Sequence, residues 1–149
     1  MTTQKLFMKF GNGMMKTLLR SPFHKMISGN MMLVTVKGRK SGKPYTIPVN
    51  YVQDGDDVYV NSQRDRTWWR NLRGGAEAIL RLRGRDFQAA GDVVEEEQGV
   101  TAQLAIYLVK APQYARYFGV SLSPEGNINL QETARAAKSR VCILFKIKG

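Results

Sequence analysis

The chain is short of the residues that most enzymes use for metal, disulfide and acid–base chemistry: its 149 residues include one cysteine and one histidine. A lone Cys142 excludes an intrachain disulfide and a cysteine-rich zinc site, and a lone His24 cannot build a histidine cluster, so no metal is expected. Cys142 lies in the apolar run Val141-Cys142-Ile143-Leu144-Phe145, which reads as a buried, inert thiol. His24 follows Ser21-Pro22-Phe23, a capping or surface position. No apolar run approaches the ~18 residues of a membrane-spanning helix, and no secretory signal is evident, so a cytoplasmic protein is expected. Acidic residues are also scarce. Against 23 Lys and Arg stand 12 Asp and Glu, a net charge of +11. Such a surplus attracts anionic small molecules, nucleic acid or anionic lipid without choosing between them. The cations are spread along the chain and form no basic helix or known recognition motif, so nucleic acid is not the expected partner.

What is present is an ordinary globular composition, 43% hydrophobic and 23% charged, in a length that fits one domain. Residues 1–29 form a segment of their own. Phe7, Phe10, Met14 and Leu18 recur at spacings of three and four among lysines, the pattern of an amphipathic helix that Gly11-Asn12-Gly13 weakens. That helix could pack on the domain, dock on an anionic membrane surface or meet a second subunit in a homodimer. Residues 30–149 read as the main domain. Strands are predicted over residues 31–36, 45–53, 58–61, 78–83, 86–95 and 140–148. Helices are predicted over residues 68–73, 98–110 and 131–138. Asp54-Gly55-Asp56-Asp57 is a hairpin signal, and Pro48 marks its strand as an edge or a bulge. Thr67 is placed to cap the Trp68-Trp69-Arg70-Asn71-Leu72-Arg73 helix, and Gly74-Gly75 to end it. From Leu80 the residues alternate, with Leu80 and Leu82 on one face and Arg81 and Arg83 on a solvated one. Six strands of this kind make an open sheet or a small closed barrel.

The stretch that carries chemistry is Gly38-Arg39-Lys40-Ser41-Gly42-Lys43-Pro44, between the first two strands. Its glycines permit left-handed backbone, and its backbone N–H groups, the Ser41 hydroxyl and two cations could converge on a phosphate or carboxylate. A plain hairpin with solubilising lysines has the same composition. It is not a P-loop, because a strand and not a helix follows it.

Taken in order, Thr35-Val36-Lys37-Gly38-Arg39-Lys40-Ser41-Gly42-Lys43-Pro44 with Pro48, then Trp68-Trp69-Arg70-Asn71-Leu72, then Pro112-Gln113-Tyr114-Ala115-Arg116-Tyr117, the chain resembles the deazaflavin-dependent nitroreductase family. The resemblance covers roughly residues 30–120. It implies an α+β, mainly β fold: a single-domain six-stranded split β-barrel, pyridoxamine phosphate oxidase-like and FMN-binding in type, with flanking helices. It implies an oxidoreductase that passes a hydride from reduced 8-hydroxy-5-deazaflavin coenzyme to an activated alkene, quinone or nitroaromatic. By the same resemblance Arg39, Lys40, Ser41 and Gly42 lie on the coenzyme's phosphate side. Pro48 and Asn50 belong to the strand beneath its ring, and Asn61, Ser62 and Gln63 to the neighbouring strand end. Trp68 and Asn71 flank the phosphate tail, and Tyr114 and Tyr117 wall the substrate pocket. The proton that completes reduction could come from Ser62, a tyrosine or water. Three features depart from the family pattern: Tyr45 where an arginine is frequent, a short loop over residues 63–66, and Ala111 where a tyrosine is frequent. FMN as cofactor, and a non-enzymatic carrier of an anionic small molecule or of nucleic acid, are the alternative readings.

The physics of the chain suits the first reading. A basic protein matches a coenzyme that ends in a phosphodiester and a glutamate tail. Hydride transfer asks the protein for orientation and a dry surface more than for titrating side chains.

Overall fold

The computed structural model describes residues 31–148; the amphipathic segment and His24 lie outside the described residues. Seven strands form one antiparallel sheet: β1 (Met31–Lys37), β2 (Pro44–Asn50), β3 (Val52–Asp54), β4 (Asp57–Gln63), β5 (Ala76–Leu82), β6 (Arg85–Val94) and β7 (Arg140–Ile147). Their order is β2-β1-β5-β6-β7-β4-β3. The two ends of that order are consecutive in the chain, separated only by Tyr51. One extended segment therefore pairs with β1 over its first half and with β4 over its second, which closes the sheet into a barrel. This accounts for seven strands where six were predicted, since the expected strand over residues 45–53 is β2 and β3 together. Closure leaves the sheet without a long free edge.

The closure is incomplete along one line. In the β3–β4 hairpin Val52 pairs with Tyr59, and the ladder stops there. Continued upward, the same register would set Asn50 against Asn61 and Pro48 against Gln63; instead the strands part, though β2 and β4 remain in contact. Pro48 sits within an unbroken β1–β2 register, opposite Leu33, so the edge placement holds and no bulge is formed there. A residue without an N–H fits that position when its nitrogen faces the open side.

Alternation decides what fills the barrel. Val58 and Val60 point inward with Val141, Ile143 and Phe145, joined by Val34, Ile47, Leu80 and Leu82. The turn of 3-10 helix Trp68–Leu72 contributes Trp68, Trp69 and Leu72 to the same cluster, so it stoppers the barrel mouth. The predicted Thr67 cap is not made: Thr67 has helical angles and no side-chain capping bond, because one turn of 3-10 helix leaves little to cap. Gly74 and Gly75, both at positive φ, end the turn as expected.

A second layer lies outside the sheet. Helix α1 (Glu97–Lys110) and helix α2 (Leu130–Ala137), with two 3-10 turns at Pro112–Tyr114 and Arg116–Phe118, cover the outer face of β4 and β7. Val100, Leu104, Tyr107 and Leu108 of α1 pack with Cys142, Tyr59 and Phe118 in that layer. Burial pushes the Cys142 thiol up to about 12, in keeping with an inert role. Arg81 and Arg83 are not simply solvated: Arg81 pairs with Asp86 at 3.2 Å. Arg83 donates to the Tyr51 hydroxyl (3.2 Å) and to Gln53 (2.9 Å), clasping the segment where β2 passes into β3.

Candidate functional site

β1 runs up to the basic turn, and β4 runs up to Gln63. β7 starts at the same end, since Gln63 pairs with Arg140. The Trp68–Leu72 turn plugs that end. The turn at residues 38–43, the helix and the gap between β2 and β4 thus share one rim.

The basic turn is a closed loop. Gly38 N–H donates to the Lys43 carbonyl (2.8 Å) and Gly42 N–H to the Gly38 carbonyl (2.8 Å). Lys43 N–H donates to Ser41 Oγ at 3.2 Å. Residue 38 is crowded: a Cβ there would stand 2.6 Å from Tyr45 Cε2 and 2.8 Å from Ser41 Oγ, so those exposed side chains would have to shift to admit one. Three of the turn's six N–H groups, those of Gly38, Gly42 and Lys43, therefore close the turn itself, and that of Arg39 goes to Asn71, which narrows the set that can face an anion. Among the described residues, the N–H groups of Lys40 and Ser41 and the ammonium groups of Lys40 and Lys43 carry no partner. They lie on an exposed surface, as do Arg39 and Gly42.

Turn and helix are stitched together. Arg39 N–H donates to Asn71 Oδ1 (3.0 Å), and Asn71 Nδ2 donates to the Trp68 carbonyl (3.0 Å). The Arg39 guanidinium donates to the Arg73 carbonyl. Arg73 in turn grips Glu95 with two bonds of 2.9 Å, the forked geometry of a guanidinium on a carboxylate. The bond from Arg73 is the main reason that the Glu95 carboxyl sits below its ordinary range. Arg64 completes the rim by donating to the carbonyls of Glu95 (2.7 Å) and Arg140 (2.9 Å). Arg64, Arg73 and Glu95 had no motif to announce them, since each finds its partner across the fold.

The inward and outward faces of β4 separate the other predicted residues. Ser62 is only 5% exposed and points into the barrel with Val60. Its hydroxyl accepts from Trp68 Nε1 (3.1 Å) and donates to the Gln63 carbonyl (3.1 Å). Trp68, also 5% exposed, is part of the core, so both side chains fix the helix from within. Asn61 and Gln63 pair with Cys142 and Arg140 and share their outward face. Pro48 and Asn50 alternate with the inward Ile47 and Val49, so they face outward across the gap.

The late tyrosines lie on that outward side. Tyr114 is half-buried against Tyr107, ring centroids 5.9 Å apart. Tyr117 is 70% exposed and meets Phe118 edge-on at 5.1 Å. Arg140 stacks its guanidinium over Phe118 (4.9 Å) and Tyr117 (5.6 Å). Burial holds the Tyr107 phenol well above the ordinary tyrosine range, so it stays protonated. Phe118 and Arg140 were not singled out in the sequence; the aromatic run after Pro112 is the signal that could have found Phe118. A separate recess of about 360 Å³ under residues 121–129, lined by Leu122, Glu125 and Asn127 among others, contains none of the predicted residues.

An antiparallel barrel with one unzipped seam, a basic turn at its lip and an aromatic flank define a split β-barrel. Residues 16–122 match the family model of the F420H(2)-dependent quinone reductases, and the chain belongs to that family. The coenzyme of the family is F420, the 8-hydroxy-5-deazaflavin, in agreement with the deazaflavin resemblance of the sequence. Solved structures share the fold. A Listeria innocua protein assigned as a pyridoxamine 5′-phosphate oxidase has a TM-score of 0.53 at 12% identity, covering 80% of this chain and 85% of that one. An F420-H2 dependent reductase (FDR-A) has a TM-score of 0.51 at 18% identity over 77% and 93%. A protein solved as a domain-swapped dimer has a TM-score of 0.51 at 15% identity over 91% and 97%. No curated protein matches the sequence.

The residues present fit such a coenzyme. The lip of the barrel offers the free ammonium groups of Lys40 and Lys43, and Glu95 is occupied by Arg73. Only the upper end of β4, where Asn61 and Gln63 face outward, is left open beside the aromatic rings, which suits a planar heterocycle.

Proposed function

We propose that the protein reduces a quinone with F420H2, holding the coenzyme's anionic tail at residues 39–43 and its ring over the seam between β2 and β4. The observation that carries this reading is the stitching of the basic turn to the Trp68–Leu72 helix through Asn71, with Lys40 and Lys43 left free beside it. Lys40 and Lys43 supply charge, and the N–H groups of Lys40 and Ser41 supply directed donors. Arg39 and Asn71 hold the turn in register. Pro48, Asn50, Asn61 and Gln63 border the ring. Tyr114 and Tyr117 flank the acceptor. Ser62 and Trp68 support this surface from inside, and the proton that completes reduction comes from water or a tyrosine.

When bound, the reduced coenzyme supplies a hydride, that is two electrons and one proton equivalent. The protein contributes orientation and shields the ring face from water. Nitroaromatics and activated alkenes are secondary acceptors on the same surface, because they accept hydride at a carbon or nitrogen conjugated to an oxygen. Action in the cytoplasm as a homodimer completes the reading; light scattering on the eluting protein tests the dimer. No described helix is long and apolar enough to cross a membrane.

The test is turnover. Purified protein mixed with F420H2 and 2-methyl-1,4-naphthoquinone should restore the absorbance of the oxidised coenzyme only when all three are present. Oxidation no faster than in the protein-free mixture would refute the proposal.

A further inference from the structure

Arg140 is the first residue of β7 and is half-buried, yet its guanidinium has no carboxylate and no hydrogen-bond acceptor among the described residues. Glu95, whose carbonyl shares the Arg64 guanidinium with that of Arg140, has its carboxylate taken by Arg73. Instead the guanidinium lies over the rings of Phe118 and Tyr117, and Arg64 anchors the Arg140 backbone through its carbonyl. The side chain is therefore fixed in position while its forked donors stay unspent. It stands beside outward-facing Gln63 on the neighbouring strand, at the border of the surface proposed above for the ring.

A cation held against an aromatic flank with free planar donors is suited to an oxygen that acquires negative charge. We infer that Arg140 is the anion seat for the electron acceptor: its guanidinium receives the quinone oxygen on which charge collects during reduction. In the step, the C–H bond of the reduced coenzyme breaks and its electron pair passes with the hydrogen to the quinone. With the hydride the quinone would gain two electrons as an oxyanion; a proton from water completes the hydroquinone, and the ring N–H proton that the oxidised coenzyme sheds returns to the water. Arg140 is not consumed and gives up no proton, since a guanidinium stays charged. Acceptors whose reduced form places charge on an oxygen next to Tyr117 are thereby favoured over acceptors without one. The inference rests on the reductase reading for the identity of the acceptor.

Protein loaded with oxidised F420, which cannot react, is titrated calorimetrically with two probes. One is 2-hydroxy-1,4-naphthoquinone, whose acidic enol is ionised at neutral pH; the other is neutral 2-methyl-1,4-naphthoquinone. The wild-type protein should prefer the anion by about tenfold to a hundredfold, the scale of a charge-assisted forked contact. Arg140→Met should bring the ratio to within about threefold of one, with Arg140→Lys between them, because lysine keeps the charge but loses the fork. Arg140→Gln substitutes for the methionine variant if circular dichroism shows that the latter is unfolded. In turnover with the methyl quinone, Arg140→Met should lower kcat by a similar factor with KM little changed. An undiminished preference in the neutral variants, or a wild-type ratio near one, overturns the inference. Absence of F420 binding to the wild type would instead sink the reductase reading, so the two failures are told apart.

Discussion

Asn71→Ala is the perturbation that most directly asks whether the basic turn and the stoppering helix work as one unit. Asn71 makes two bonds of 3.0 Å, accepting from Arg39 N–H and donating to the Trp68 carbonyl. A neutral hydrogen bond contributes about 0.5–1.5 kcal/mol net. The first of these bonds is exposed, so water replaces much of it; the second is part-buried and belongs toward the upper end. Together they predict a loss of about 1–2 kcal/mol, or about 2–8 °C in Tm for a chain of this size. Freed from Asn71, the turn must be ordered by the coenzyme when it binds, and affinity should fall about tenfold. Thermal unfolding followed by circular dichroism measures the first quantity, and fluorescence titration with oxidised F420 the second. Lys40→Ala should weaken binding by about 1–3 kcal/mol with Tm unchanged, because its ammonium has no described partner to lose. Combining the two substitutions should cost less affinity than their sum, as expected for groups that act through one loop. A lowered Tm with coenzyme affinity intact in Asn71→Ala would refute the coupling of turn and helix.

Other positions give independent checks. Ser62→Ala strands the buried Trp68 indole N–H and should cost about 1–3 kcal/mol by chemical denaturation. It should leave kcat near wild type well below Tm, whereas a large fall in kcat would return Ser62 to a catalytic role. Gly91→Ala would place a Cβ 2.7 Å from Phe145 Cε1 and should destabilise by about 1–3 kcal/mol, partly relieved by Phe145→Leu; an unchanged Tm would refute the tight packing. The Glu95 carboxyl is depressed by Arg73, so its stabilisation is fully present above the ordinary glutamate value of 4.5 and is lost as pH falls through the lower folded value. The Tm gap between wild type and Glu95→Gln should therefore be present at neutral pH and shrink on acidification below that value, and a gap that grows in acid would contradict the pairing.

Much of this arrangement was legible in the chain. The turn, the Trp68–Leu72 helix and the aromatic run after Pro112 were marked by glycine, proline and aromatic spacing, which are local signals. Strand positions followed from alternation and hairpin residues in the same way. The orientation of Ser62 was also available. Val58 and Val60 set the inward face of β4, and Ser62 falls on it, while Asn61 and Gln63 fall on the other. Thr67 misled for a local reason, since a capping residue type precedes a turn too short to need a cap.

The rest is set by tertiary contact. No local signal shows that Tyr51 divides one extended segment between two partners, because β1 and β4 supply those partners from either side. Nothing near Arg140 shows that it lies over Phe118, 22 residues earlier in the chain. Arg39 looked like a free phosphate ligand, and its guanidinium is partly spent on the Arg73 carbonyl. That contact makes Arg39→Ala a mixed test of fold and binding, and Lys40 the cleaner probe.

The central claim is that free cations at the lip of the barrel hold the acidic end of F420. Its most direct test is the affinity of oxidised F420 for the wild type and for the Lys40→Ala, Lys43→Ala double variant, each titrated at low and at high salt. The account predicts tight, salt-sensitive binding to the wild type, and binding weakened at least about tenfold with a flatter salt response in the variant. Equal affinity and equal salt response in both proteins would place the coenzyme's tail elsewhere and contradict the account.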